Sequence, residues 1–363
     1  VFIPKADGGK RPLGIASLED KVVQRAVVEV LNAIYEEDFA GFSYGFRPGR
    51  SQHQALDALA VGIHRRKVGW VLDADIRGFF DAIDHAWLDK FVAHRIADPR
   101  IQRVIAKWLR AGVLEDGKKV VQEVGSPQGA TVSPLLANVY LHYVFDLWVD
   151  QWRRRHASGE VIVVRYADDI IVGFQRRAEA VRFQNELRQR MAKFGLELHP
   201  DKTRLIAFGR FAAAMRRQRG QGKPETFDFL GFTHMCGRTK NGRFEVDRRT
   251  SKDRMVGTLK EIRRMLKRMR HLPVPVQGAR LNRLLRGYFG YYAVWTNLRR
   301  LNAFRTQVIR AWLHALRRRG QRHRMTWARM TALVRRWVPR VSVLHPWPVQ
   351  RFDAITRGRS PVR

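Results

Sequence analysis

The stretch Val161-Ile162-Val163-Val164-Arg165-Tyr166-Ala167-Asp168-Asp169-Ile170-Ile171-Val172 sets two adjacent carboxylates between two runs rich in β-branched residues. Such runs read as buried strands, so the stretch predicts a hairpin with an Asp pair at its joint. Unpaired buried charges there would cost several kcal/mol each, a penalty that a bound metal ion removes. Carboxylates that hold two Mg²⁺ ions about 3.5–4 Å apart are one such arrangement. The plainer alternative is a Tyr-Ala-Asp-Asp turn that merely joins two strands.

Working outward, residues 69–76 read as a strand in which Asp73 and Asp75 lie two apart and so share a face. Residues 2–15 suggest two short strands around a Gly-rich turn. A helix is expected over 18–35, with Val22, Ala26, Val30, Ala33 and Ile34 near helical spacing, and a second to about 66 with Ser51 as N-cap. Residues 86–111 read as mostly helical. Gly125-Ser126-Pro127-Gln128-Gly129-Ala130 forms a turn before a long helix over 133–154, and a helix over 178–194 ends at Gly195. Short strands are expected near 196–198, 205–208 and 227–233, with a surface loop over 210–224. Beyond Ser251 the pattern is helical almost throughout, over 251–271, 276–299, 302–319 and 326–337, which puts a domain boundary near 240–250.

The chain carries 69 Lys and Arg against 33 Asp and Glu, a formal +36. A polyanionic partner is the simplest reason to tolerate that self-repulsion, and nucleic acid is the commonest polyanion. Residues 251–363 hold 28 of the basic residues and 3 of the acidic ones, so +25 of the excess lies there. Cys236 is the single cysteine, which excludes an internal disulfide or a Cys-based zinc site and fits a reducing, cytoplasmic setting. No signal peptide is visible and no apolar run reaches the roughly 18 residues that span a bilayer, so no membrane partner is expected. Residue 1 is Val, and upstream sequence is expected.

The order of the pieces resembles the successive blocks of a reverse transcriptase, most closely the bacterial group II intron reverse transcriptase/maturases that lack the endonuclease module. The resemblance rests on Arg11-Pro12-Leu13-Gly14-Ile15, Gly45-Phe46-Arg47-Pro48-Gly49-Arg50-Ser51, Asp75-Ile76-Arg77-Gly78-Phe79-Phe80-Asp81-Ala82-Ile83-Asp84-His85, the Pro-Gln-Gly turn, Tyr166-Ala167-Asp168-Asp169, the Gly195–Thr203 segment and Phe229-Leu230-Gly231-Phe232. It implies an α+β right-hand polymerase, with fingers and an antiparallel palm sheet in 1–240 and an all-helical thumb or maturase (X) domain in 250–363.

The resemblance also implies roles. Asp75, Asp168 and Asp169 would be the catalytic carboxylates and, with Ile76, would hold two Mg²⁺ ions, with Mn²⁺ able to substitute. Asp73 competes with Asp75 from the same strand face; Phe80 and Asp81 at the family spacing favour Asp75. Lys5, Arg11, Phe80, Gln128 and Lys202 would bind the nucleotide, Phe80 by excluding a 2′-hydroxyl. Phe46, Arg47 and Arg50 would follow the template. Arg283, Arg286, Arg299 and Arg300 would bind nucleic acid from a helical stripe whose Leu281, Leu284, Leu285, Tyr288, Tyr292 and Trp295 are mostly core. His85 and Asp84 are expected to cap the next helix, without chemistry.

The implied activity is RNA-directed DNA synthesis on intron RNA together with assistance to splicing. Implied partners are structured intron RNA, an RNA template with DNA primer, dNTPs and a DNA target site, in a bacterial cytoplasm at the nucleoid or in a ribonucleoprotein. Two other readings stay open: an RNA-binding splicing cofactor with a vestigial polymerase site, and a defence or retron-type reverse transcriptase.

Overall fold

The computed structural model describes residues 2–4, 10–12, 14, 16–111, 113–115, 118–120, 125, 129–320 and 325–356. The chain separates into two compact units, one of residues 1–215 with 352–363 and one of residues 216–351.

The first unit opens with the antiparallel strands β1 (Phe2–Pro4) and β2 (Lys10–Pro12). Helix α1 (Leu18–Tyr35) starts where Ser17 Oγ accepts the Asp20 amide hydrogen, and α2 (Gln52–Arg65) starts with a capping box of Ser51 and Gln54. β3 (Trp70–Ala74) comes next. The expected single helical stretch is two helices, α3 (His85–Arg95) and α4 (Pro99–Arg110), capped by Asp84 and Asp98. β4 (Val113–Glu115) and β5 (Lys118–Val120) form a second small hairpin.

The long helix is α5 (Ser133–Leu141) and α6 (Leu147–His156), joined without a break by one π-helical segment, His142–Asp146. Then come β6 (Val161–Tyr166), β7 (Asp169–Phe174), α7 (Arg177–Lys193), β8 (Arg204–Ala207) and α8 (Ala212–Gln218). The strands β6-β7-β3-β8 make one antiparallel sheet. One apolar core joins its Leu72, Val163, Ile170 and Val172 to Tyr140 and Phe145 of the long helix and to Phe183 and Leu187 of α7. Leu198 contributes a single bridge to Ile76 rather than a strand.

The buried side of α1 differs from the expectation. Gln24, Val28, Leu31 and Tyr35 face the core, whereas Val22 and Val30 are more than 60% exposed. Two apolar rows coexist on this helix at helical spacing, and periodicity alone does not choose between them. The choice is made by Gln24, whose side-chain oxygen accepts the Thr131 amide hydrogen at 2.8 Å.

In the second unit β9 (Phe227–Phe229), β10 (Phe232–Arg238) and β11 (Phe244–Thr250) form an antiparallel sheet of order β11-β10-β9. Helices α9 (Lys252–Arg268), α10 (Val274–Tyr292), α11 (Leu298–Arg317) and α12 (Trp327–Trp337) succeed it, and an unforeseen α13 (Pro348–Thr356) spans the division at residue 352. The division after residue 215 comes earlier than the expected 240–250, because this sheet is tied to the helices. Asn297 accepts the Thr250 amide hydrogen and donates to Thr250 Oγ1 and the Tyr292 carbonyl, and Phe232 packs on the Tyr292 ring. Trp312, fully buried, donates to Gln277 Oε1. A Cβ at Gly278 would overlap the Trp337 indole, so α12 rests directly on the backbone of α10. Among the described residues no helix is long and apolar enough to cross a membrane.

Candidate active site

β3 and β7 pair antiparallel as far as Ala74 opposite Ile170, and since Asp75 follows directly after β3 and Asp169 opens β7, both lie at the same end of the sheet. Asp73, opposite Ile171 within the pair, has its carboxylate facing the Arg204 guanidinium of β8 at 3.8 Å. That pairing leaves Asp75 as the strand's outermost carboxylate. Its backbone carbonyl accepts the His199 amide hydrogen at 2.8 Å, and Lys202 Nζ lies 3.3 Å from its Oδ2.

Tyr166 pairs with Asp169, so Ala167 and Asp168 form a two-residue hairpin turn, as the sequence suggested. Ala167 has φ +55°, a left-handed conformation that costs a non-glycine residue about 1–3 kcal/mol. The turn is braced from below. Arg165, fully buried, donates from Nε and Nη2 to both carboxylate oxygens of Asp146 at 2.7 and 2.5 Å, and from Nη1 to Asn138 Oδ1 at 3.0 Å and the Ala167 carbonyl at 3.1 Å. Asn138 in turn donates to the Gly45 carbonyl at 2.6 Å. A Cβ at Gly45 would overlap the Ala167 amide nitrogen, so only glycine permits this approach. Burial, reinforced by the Asp169 charge, pushes the Tyr166 phenol above its ordinary range.

Asp75 and Asp168 are half-buried and Asp169 is exposed, with Ile76 buried beside Asp75. Among the described residues no three His, Cys, Asp or Glu side chains stand drawn together as a finished metal cluster. Asp75, Asp168 and Asp169 thus lie at one end of the sheet without being drawn into a closed set of ligands. The donors are nonetheless carboxylate oxygens, which suit a hard divalent cation, and the Lys202 ammonium shows that a cation already approaches Asp75.

Phe80 lies in a 3₁₀ turn (Phe79–Asp81), half-buried, its ring edge-on to Phe79 at 5.5 Å. His85 and the carbonyl of Gly125 are hydrogen-bonded at 2.5 Å, and Asp84 caps α3 through the Trp87 amide. Lys5 and Gln128 lie outside the described residues, as does the side chain of Arg11, whose backbone belongs to β2.

The template residues part company. Phe46 is half exposed, 6.4 Å from the Tyr166 ring. Arg50 stacks its guanidinium over Tyr44 at 5.4 Å. Arg47 does not reach outward: it is buried, paired with both oxygens of Glu36 at 2.9 and 2.8 Å and bonded to the carbonyls of Ala40 and Ser43. Four of its five N–H donors are taken from within and the side chain is buried, which turns it away from template phosphate, so the expected role of Arg47 gives way to a structural one.

In the second unit Arg283, Arg286 and Arg299 are exposed, and Arg300 is half-buried near Tyr288. Arg283 joins Arg264, Arg268 and Arg280 around a groove of about 920 Å³ between α9 and α10, floored by Leu272 and Val276. Leu281, Leu285 and Tyr292 are core as expected, whereas Trp295 lies past the helix end and is 61% exposed.

Sequence reasoning assigned no role to Arg165, Asp146, Asn138 or Gly45. The available signal was a lone arginine inside an otherwise apolar strand.

The family described as "Reverse transcriptase (RNA-dependent DNA polymerase)" matches residues 3–234, more than half of the chain. "Protein YkfC" of Escherichia coli is 34% identical over 239 residues, 56% of this chain and 62% of that protein. "Group II intron-encoded protein LtrA" of Lactococcus lactis subsp. cremoris is 42% identical over 174 residues, 46% of this chain and 28% of that protein. The chain thus spans less than two thirds of either relative. A structure of apo telomerase from Candida tropicalis, truncated from its C-terminal domain, aligns at a TM-score of 0.48 and 15% identity over 68% of this chain and 54% of that one. The family match runs through both strand ends that carry Asp75 and Asp169, and the chain belongs to the reverse transcriptase (RNA-dependent DNA polymerase) family.

Proposed function

We propose that this chain is the RNA-directed DNA polymerase of a group II intron, copying intron RNA into cDNA and assisting the splicing of that RNA. The observation that carries the reading is that Asp75, directly after β3, and Asp169, at the start of β7, lie at one end of the same sheet, with Asp168 in the braced turn between β6 and β7. In this reading residues 1–215 supply fingers and palm, and the basic second unit supplies the thumb and maturase surface.

Asp75, Asp168 and Asp169, with Ile76 beside them, would hold two divalent cations, Mg²⁺ or Mn²⁺. The chemistry supplied by cations held there would be a lowered pKa at a primer 3′-hydroxyl and charge neutralisation at the departing pyrophosphate. The chain's own residues do the positioning. Lys202, already beside Asp75, is placed to meet phosphate charge. Lys5, Arg11 and Gln128 would grip the dNTP, and the Phe80 ring would border its sugar and exclude a 2′-hydroxyl. Phe46 and Arg50 would offer a stacking face and a charge to template RNA. Arg283, Arg286, Arg299 and Arg300 would meet intron RNA or the template–primer duplex through phosphate-directed forks, and a DNA target site is a further partner.

The Asp168→Ala/Asp169→Ala variant tests the assignment. Primer extension on poly(rA)/oligo(dT) is expected to vanish, while affinity for intron RNA stays within about threefold, roughly 0.65 kcal/mol. Unchanged extension would refute the site. A wild-type chain that binds intron RNA and promotes splicing without extending any primer would establish the splicing-cofactor reading instead.

A further inference from the structure

We infer that the buried Arg165–Asp146 pair is a positioning element that sets the direction of the Asp168 carboxylate, and that the π-helical segment of the long helix exists to deliver Asp146 to it. The inference rests on Asp168 being a cation ligand.

A buried ion pair is an uneconomical way to fill a core, since apolar residues of similar volume are often neutral or more stabilising. Arg165 and Asp146 are both fully buried, so the pair is better explained by what it specifies than by what it stabilises. What it specifies is visible in the fork. Nε and Nη2 are fixed by the two oxygens of Asp146, and this fixes the direction of Nη1, which meets the Ala167 carbonyl. That carbonyl belongs to the peptide group joining Ala167 to Asp168, so holding it holds the plane from which Asp168 departs. A lysine ammonium keeps a positive charge opposite Asp146 but offers no planar fork to transmit the direction.

The turn also needs external restraint, because Ala167 sits at φ +55°. Strained positions persist when the surroundings over-determine them. Two contacts do so, Arg165 on the carbonyl side and Gly45 against the Ala167 amide nitrogen, and Asn138 ties the two together by accepting from Arg165 while donating to Gly45. Residues 42–44 lie along the outer edge of β6, the Tyr44 amide donating to the Arg165 carbonyl and the Arg165 amide to the Phe42 carbonyl, which closes the brace.

Asp146 ends the π-helical segment His142–Asp146. A π turn adds a residue to the helix and rotates the succeeding turns by roughly 100°, and such segments recur at functional sites. Here Asn138 and Asp146, eight residues apart, converge on one guanidinium.

The test uses the intact chain and three variants: Arg165→Lys, the apolar pair Arg165→Met/Asp146→Leu, and Asp168→Ala/Asp169→Ala as reference. Thermal melting and circular dichroism report folding. Mn²⁺ binding followed by electron paramagnetic resonance reports the site without turnover, and single-turnover extension on poly(rA)/oligo(dT) separates the maximal rate from the dTTP dissociation constant. The apolar pair is expected to keep its melting temperature within a few degrees. Its Mn²⁺ affinity should fall at least tenfold and its maximal rate about a hundredfold, with dTTP affinity within threefold. Arg165→Lys should show the same split and decides the matter if the apolar pair does not fold. Folded variants with wild-type Mn²⁺ affinity and rate would overturn the inference, as would losses that merely track the unfolded fraction. If Asp168→Ala/Asp169→Ala itself leaves Mn²⁺ binding and extension unchanged, it is the underlying site assignment that fails.

Discussion

The Lys202 ammonium lies 3.3 Å from the Asp75 carboxylate, just past the end of β3, where the proposed cation site lies. The Lys202 side chain is 61% exposed, so the pair is worth at most about 1 kcal/mol. It nonetheless sets up a competition, because a divalent cation arriving at Asp75 must displace the lysine or share the carboxylate with it. Lys202→Ala should therefore tighten Mn²⁺ binding by about two- to fivefold while lowering the rate of primer extension, since the lysine is also expected to meet phosphate. Electron paramagnetic resonance titration beside a single-turnover assay reads both. Weaker Mn²⁺ binding in the variant would contradict the competition.

Arg47 and Arg283 should behave as opposites although both are arginines in a basic protein. Arg47 is locked to Glu36 and two backbone carbonyls, so Arg47→Ala strands a carboxylate and should cost about 3–5 kcal/mol in urea unfolding. Its effect on the salt dependence of RNA binding should be nil. Arg283 is exposed on the groove between α9 and α10, so Arg283→Ala should leave stability within about 0.5 kcal/mol and make the log–log salt slope shallower by about one. A shallower slope from the folded Arg47 variant would restore that residue to the template path.

That contrast marks the limit of what was legible beforehand. The β6–β7 hairpin and the Ser51 cap are local properties, fixed by β-branching and capping chemistry within a few residues, and they read correctly. The exposed row of α1 misled because two apolar rows fit one period and the choice depends on Thr131, far along the chain. Arg47 and Arg165 were illegible for the same reason, since an arginine's fate depends on whether a carboxylate folds against it. Glu36 lies 11 residues before the first and Asp146 lies 19 before the second. The π-helical segment leaves no compositional trace, because its residues are ordinary helix residues shifted by one.

Phe80 occupies the 3₁₀ turn Phe79–Asp81, a few residues past the end of β3, its ring edge-on to Phe79. If the free face of this ring borders the sugar, Phe80→Ala opens room for a 2′-hydroxyl and should lower the dNTP-over-rNTP preference by at least tenfold, about 1.4 kcal/mol. The reading predicts a change in selectivity larger than any change in dNTP rate. Competition between dTTP and UTP on poly(rA)/oligo(dT) measures it, and an unchanged ratio would return Phe80 to the core.

The second unit should be acid-sensitive through His234, which is fully buried and stacked on Phe227 at 4.8 Å with the rings nearly parallel. Burial, with the Arg248 charge adding to it, lowers its imidazole from 6.5 to about 3. The protonated form is thus excluded from the fold but open to the unfolded chain. Above pH 6.5 both states are neutral and the stability is fully present. As pH falls through 6.5 the unfolded state takes up a proton that the folded state does not, and stability drops by up to about 1.4 kcal/mol per pH unit, a loss of roughly 2 kcal/mol by pH 5. His234→Phe keeps an aromatic ring in the stack and removes the titration, so its urea midpoint should change less between pH 7 and pH 5 than that of the parent. Equal pH dependence in the two proteins would show that His234 accepts its proton without leaving the fold.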